Sequence, residues 1–324
     1  MIKTELKISN DELKKYYFGA YCFEETRDGY LQAFQYSKAE VDYFRKSNEY
    51  WYPRSMASSA KTLEMITASS RISFDYKIVW QGSYDTFELF ADGERCVVKK
   101  VEELSAEGRI DFTVPGKKKV RNIVIYLPVD ATVIIRNFEA DEELSVPSKN
   151  GKILWFGDSI TQGFGPLISS GSVVSVTNRI LNYEIINRGI AGYIYDAPSL
   201  MEDGLRPDKI FVSLGTNQYI FGDLSPVEEY YEKLNEIYGS GIPVFVITPV
   251  WRMDFPDDDS KNKFILFGEG IKEICSKYDN ITVIDGLKLL DAKHNYFIDD
   301  LHPNIKGAEI YGTNLAKILE NIES

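Results

Sequence analysis

Two rhythms of apolar and polar residues divide the chain. Over residues 1–148, apolar and polar positions tend to alternate, as in YYFGAYCF (16–23), SFDYKIVW (73–80), TFELFAD (86–92) and VRNIVIYLPV (120–129). A period of two, carried by β-branched and aromatic residues, predicts strands with one buried face. In FELFADGERCVV, Asp92-Gly93 separates two such runs and predicts a tight hairpin. Helical periodicity is weak here, so a β-sandwich or jelly-roll module is expected. The polar stretch ADEELSVPSKNG (140–151), with Pro147 and Gly151, reads as a linker.

After residue 151 the rhythm changes. Short continuous apolar runs, KILWF (152–156), YEIIN (183–187), KIFVSL (209–214), VFVIT (244–248) and ITVID (281–285), alternate with helical patterns. SPVEEYYEKLNEIY predicts a helix capped by Ser225, with Pro226 in its first position and Glu228 completing a capping box. Residues 262–278 and 305–322 also repeat at helical spacing, and PDDDSK (256–261) reads as a short solvated acidic loop. Fully apolar strands alternating with helices predict a parallel sheet covered on both faces, an α/β domain over residues 149–324.

Composition narrows the partners. At 324 residues the chain suits two domains of roughly 100–200 residues each. With 44% hydrophobic residues it needs no metal or disulfide to hold a core, and no cofactor is called for. A net charge of -12 argues against nucleic acid and against anionic membranes. Cys22, Cys96 and Cys275 are widely spaced and odd in number, which predicts reduced, mostly buried thiols. MIKTELKISNDELKK lacks the apolar core of a signal peptide, and no apolar run approaches the ~20 residues of a spanning helix. The expected location is the cytoplasm. The oligomeric state is left open, a homo-oligomer included.

In open parallel sheets, sites form at the carboxyl ends of the strands. The first run ends in GDSITQG, with Ser159; the second in NRGIAG (187–192), with Gly189 and Gly192; the third in GTNQY (215–219), with Asn217. FIDDLHPN (297–304), just before the last helix, holds Asp299 and His302. These residue types are what acyl transfer needs: a hydroxyl nucleophile, a base to take its proton, an acid to orient that base, and donors for the oxyanion. Histidine is scarce, so the base is either His302 or His294, and His294 lies in a polar stretch that reads as surface.

Together the four blocks resemble the SGNH, or GDSL, hydrolases, over about residues 151–324. The resemblance implies a three-layer α/β/α fold with Ser159 as nucleophile, His302 as general base and Asp299, rather than Asp300, as its orienting acid. It implies an oxyanion hole formed by the Ser159 amide, Gly192 and Asn217. Gln218 departs from the family's usual Asp, which bears on loop geometry or substrate preference. Asp158 is expected to bond nearby backbone, Gly189 to serve backbone conformation and Asn187 to brace its loop. Trp251 and Arg252 are expected to line a substrate pocket with Gln218, Tyr219 and Tyr193, and Tyr195 is a further rim residue. The first module resembles the jelly rolls that precede SGNH domains in some carbohydrate esterases, and GSYDTFELFADGE (82–94) is similar to their Gly-x-Asp-Leu-Tyr type signature. Trp51 and Trp80 are read as core residues of that module rather than sugar platforms. The implied activity is hydrolysis of small soluble esters, with deacetylation of O-acetylated oligosaccharides foremost. An acyltransferase, a lipase or thioesterase for longer chains, and a carbohydrate-binding protein with a degenerate enzyme are the alternatives.

Overall fold

The computed structural model describes residues 6–83 and 85–323. Residues 1–5, where the signal-peptide reading begins, and Tyr84, inside the jelly-roll signature, lie outside the described residues.

Two antiparallel sheets face each other over residues 6–145. One runs β3 (Cys22–Glu25), β4 (Leu31–Phe34), β11 (Ala131–Ala140), β6 (Arg71–Gln81), β9 (Glu107–Thr113), with β1 (Leu6–Ile8) also on β11. The other runs β12 (Leu144–Ser145), β5 (Thr62–Thr67), β10 (Arg121–Tyr126), β7 (Thr86–Ala91), β8 (Glu94–Lys100), with β2 (Tyr17–Phe18) on β5. The inward-facing residues form one core: Ile72, Phe74, Ile135 and Phe138 meet Leu63, Met65, Phe87, Leu89 and Ile125. Asp92 and Gly93 both have positive φ (55° and 83°), the backbone a two-residue hairpin requires, and they join β7 to β8 as the pattern predicts. The linker stretch is partly ordered, because β12 pairs with β5.

Three short helices interrupt this β-rich half: α1 (Asn10–Leu13), α2 (Lys38–Ser47) and α3 (Trp51–Arg54). The alternation-based reading does not anticipate α2. Its signal is a capping box, in which the Ser37 side chain accepts from the Glu40 amide while Glu40 accepts from the Ser37 amide. Its apolar face leaves the sandwich and joins the second half: Tyr36, Val41 and Phe44 pack with Phe156, Ile190 and Tyr193.

The second half is a five-stranded parallel sheet in the order β14 (Glu184–Gly189), β13 (Lys152–Gly157), β15 (Lys209–Ser213), β16 (Val244–Ile247), β17 (Ile281–Ile284). These are the five apolar runs, each within a residue or two of its expected bounds. Along β13, Leu154 and Phe156 enter the core beneath α6 (Ser225–Tyr238) and α7 (Asp258–Cys275). Ile153 and Trp155 enter the opposite core, beneath α5 (Val173–Leu181) and α8 (Ile305–Glu323). A sheet buried on both faces explains why its strands read as unbroken apolar runs. A four-residue helix, α4 (Ser159–Gln162), follows β13 directly.

Some local expectations change. Ser225 is the first residue of α6 rather than its cap; Leu224 takes that place without a side-chain bond, and the Ser225 amide donates to Asp223. The acidic PDDDSK stretch opens α7, with Asp257 capping the Ser260 amide, because carboxylates complement the unpaired N–H groups of a first turn. Cys275 is buried, but Cys22 and Cys96 are only partly so; all three are free thiols. Trp51 leaves the sandwich as well: its ring meets Tyr193 edge-on at 5.1 Å. Among the described residues no helix is long and apolar enough to cross a membrane.

The seam between the halves is polar and buried. Arg188, at the carboxyl end of β14, is 0% exposed. Its Nη1 donates to Glu40 at 2.9 Å, Nη2 to Asp203, and Nε to the Gln35 carbonyl at 3.0 Å, while the Tyr36 hydroxyl donates to the Arg188 carbonyl at 2.7 Å. Burial works against the guanidinium's charge, but Glu40 and Asp203 more than restore it and push its pKa up. Removing one member of a buried ion cluster strands the others. Arg188→Met is therefore expected to destabilise the fold by about 3–5 kcal/mol, read from urea unfolding midpoints at unchanged slope.

Candidate active site

The strand order 2-1-3-4-5 places a topological switch beside β13, whose neighbours β14 and β15 leave in opposite directions. The carboxyl ends of these three strands supply Ser159, Gly192 and Asn217, and the loop before α8 supplies His302.

Gly157 ends β13 where any Cβ would run into the Thr161 side chain. Asp158 then caps α4, accepting from the Ile160 amide at 3.0 Å, and burial pushes its carboxyl up to about 7. The turn delivers Ser159 Oγ to 2.8 Å from His302 Nε2. On the far side of the ring, His302 Nδ1 lies 2.7 Å from Asp299 Oδ2. A carboxylate only accepts, so His302 Nδ1 is the donor of that bond. Asp299 loses solvent on folding, which opposes its charge, yet bonds from the amide and ring of His302 and from the Leu301 amide outweigh this and hold its pKa below the usual range. The Phe164 ring stands edge-on to His302 with centroids 4.6 Å apart. The other histidine is exposed, its Nδ1 2.6 Å from Asp300 Oδ1, so the two adjacent aspartates serve different rings.

Gly192 has φ +73°, and a Cβ there would lie 3.2 Å from the Tyr50 ring. Its loop is held from below: the Ala191 amide donates to Gln162 Oε1 at 2.7 Å, and Gln162 Nε2 donates to Asp130 of the β-rich half at 2.6 Å. Asn187 braces the same region, donating to Ser59 Oγ and the Thr161 carbonyl and accepting from the Gly189 amide. Gly189 permits close approach of α4, since a Cβ would sit 2.3 Å from the Gln162 amide nitrogen. Asn217 Nδ2 donates to the Tyr193 carbonyl at 2.9 Å, which orients the amide and spends one of its two hydrogens. Gln218 keeps an acceptor oxygen at the departed Asp position, receiving the Tyr195 amide at 2.6 Å.

A cavity of about 390 Å³ opens over Ser159, lined by Gly192, Asn217, Asp299, His302, Tyr50 and Arg54 among others. Of the residues expected in the pocket, Tyr193, Gln218 and Tyr219 are only 1%, 5% and 7% exposed. The chain turns inward after each motif. Tyr193 packs on Phe44 and Trp51, and Tyr219 on Phe255 and Phe264, so these residues brace the site without lining it. Tyr195 is buried as well, stacked among Tyr230 and Tyr231. Trp251 packs towards Phe264 between the two cores. Arg252 donates to the Thr216 carbonyl at 2.8 Å and pairs with Asp254, fixing the turn before Asn217. Tyr50 and Arg54 reach the cavity from the β-rich half, and the sequence reading misses them. Their stretch, NEYWYPR, is conspicuously aromatic, but nothing local places it against a glycine about 140 residues on.

A second cavity, about 360 Å³, lies between β5, β10 and α5. It contains no serine–histidine pair, so chemistry rather than size singles out the Ser159 cavity. Among the described residues no group of three or more His, Cys, Asp or Glu is placed to hold a metal ion.

A three-layer α/β/α domain carrying these four blocks at its switch point defines the SGNH class of hydrolase. Residues 155–310 match the family model of the GDSL-like lipase/acylhydrolase family. Solved structures share the architecture over 82% to 99% of the chain. The salicylyl-acyltransferase SsfX3 from a tetracycline biosynthetic pathway is 18% identical, with 98% of each chain covered and a TM-score of 0.77. The acetyl xylan esterase Est2A from the rumen bacterium Butyrivibrio proteoclasticus is 15% identical, covering 99% of this chain and 98% of its own, with a TM-score of 0.67. A family two carbohydrate esterase from Clostridium thermocellum, solved with cellohexaose, is 17% identical, covering 82% of this chain and 94% of its own at 0.66. At these identities the likeness speaks for the fold, including the β-rich half. No curated protein sequence matches the chain.

Ser159 lines the cavity with its Oγ within hydrogen-bond distance of a histidine. A fluorophosphonate probe is expected to label the wild type at Ser159, seen as an adduct on the tryptic peptide, and His302→Ala is expected to slow labelling by roughly 10³-fold or more.

Proposed function

We propose that the protein is a serine esterase for small soluble esters, foremost an enzyme that deacetylates O-acetylated carbohydrates. One observation carries the reading: the continuous Ser159–His302–Asp299 chain, 2.8 and 2.7 Å long at its two links, opening onto a cavity shared with Gly192 and Asn217. A cavity at the small end of ligand sites supports a short acyl group. The same reading treats residues 1–148 and 149–324 as the two domains. The three free thiols support a reducing, cytoplasmic setting.

In this mechanism His302 Nε2 takes the Ser159 proton as Oγ attacks the ester carbonyl. Asp299 stabilises the imidazolium that forms. The oxyanion is met by the amides of Ser159 and Gly192 and by the remaining N–H of Asn217. Collapse passes the proton from His302 to the leaving alcohol and leaves Ser159 acylated. Water, deprotonated by His302, attacks the acyl-enzyme through a second tetrahedral intermediate, and the acid and free Ser159 are released.

Screening acetylated sugars and aryl esters, with Ser159→Ala as blank, tests this. The variant is expected to lose on the order of 10⁴-fold or more in kcat. Near-wild-type turnover by it, or a preference for acyl chains beyond about eight carbons, would overturn the proposal or its substrate class. Product analysis with added alcohols separates hydrolysis from transfer. Gln162→Leu leaves the Ala191 amide without its acceptor, and is expected to lower kcat about 10²-fold by displacing Gly192, with a much smaller change in KM.

A further inference from the structure

The catalytic cavity holds a cation that the mechanism does not use. Arg54, at the end of α3, lines it beside Ser159. Its guanidinium lies 3.7 Å from the centroid of the Tyr50 ring and 5.1 Å from that of Trp80. Tyr50, 52% exposed, in turn covers the Gly192 turn. The guanidinium is thus stacked on a ring that touches the turn carrying the proposed oxyanion donor.

Its donors are largely unclaimed. Nη1 donates to the Tyr50 carbonyl at 3.0 Å, while Nε is shielded from solvent and has no hydrogen-bond partner. Among the described residues no carboxylate lies within ion-pair distance of Arg54. Asp130 feels the Arg54 charge, but Asp130 is buried and accepts from Gln162. Asp299 faces the same cavity and is committed to His302. Arg54 lines the cavity, and its planar guanidinium fork keeps Nη hydrogens that can meet a carboxylate oxygen there. Stacking on Tyr50 holds that fork in one plane.

We propose that Arg54, held on Tyr50, is a specificity-determining residue that binds a carboxylate carried by the ester, so that acidic esters are preferred over neutral ones. This rests on the serine esterase reading. The carboxylate belongs either to the acyl group or to the alcohol, as it would in an O-acetylated uronate, and two substrate pairs separate these sources. Mono-(4-nitrophenyl) succinate against 4-nitrophenyl acetate probes the acyl side; 3-acetoxybenzoate against phenyl acetate probes the alcohol side.

In one of the two pairs, the preference for the acidic ester is expected to fall at least about tenfold in kcat/KM in Arg54→Met, mostly through KM, with Arg54→Lys recovering part of it. In the wild type, benzoate but not benzamide is expected to inhibit hydrolysis of 4-nitrophenyl acetate competitively, a measurement that needs no folded variant. Ser159-dependent turnover with unchanged preferences in Arg54→Met, or equal inhibition by benzoate and benzamide, overturns the inference and leaves the esterase reading standing. Absence of Ser159-dependent turnover of any ester overturns both.

Discussion

The buried guanidinium of Arg188 is the constraint around which the two halves are arranged. It closes the second parallel strand, immediately beside the Gly189–Gly192 turn, shielded from solvent. A charge there is tolerable only if each donor finds an acceptor. Glu40 and the Gln35 carbonyl come from the β-rich half, and Asp203 from the α/β half. Strand β14 therefore cannot take its native surroundings unless α2 is docked, and α2 cannot bury Glu40 without Arg188. The N-terminal half is part of the site's foundation, not an appendage to it.

The same logic continues along the seam towards Ser159. Asp130 reaches Gln162, Gln162 reaches the Ala191 amide, and Ser59 bonds both the Gln162 carbonyl and Asn187. Groups that stabilise developing charge act best when they are already in position, with nothing left to reorganise. Here that position is set by polar side chains buried between the two halves, where low dielectric and close packing leave them few alternative arrangements. The proposed reacting groups come from segments that follow the strands at a sheet's switch point and from the loop before α8, so a rigid scaffold carries side chains of different chemistry.

The β-rich half contributes at a second level. Tyr50 and Arg54 form one wall of the cavity over Ser159, so the lining of that cavity belongs to both halves. Residues expected on that wall, Tyr193, Gln218 and Tyr219, are interior instead. Each follows a motif residue in sequence, but a tight turn reverses the chain there, and neighbours in sequence point away from each other in space.

What the residues determine on their own is local. The five parallel strands were legible because burial on both faces leaves continuous apolar runs, and the hairpin because Asp92-Gly93 tolerates positive φ. The four chemical blocks were legible because each is a contiguous segment at the end of an element. Helix α2 was legible in principle, through its Ser37–Glu40 capping box, but the surrounding β pattern masked it. Residue type and chain order alone did not decide which cap closes α6, that Trp51 leaves the sandwich, or that Tyr50 and Arg54 stand over Gly192. These depend on how two separately patterned cores dock. Docking pairs groups far apart in the chain, Arg188 with Glu40 and Gln162 with Asp130, and that pairing exists only in the tertiary structure.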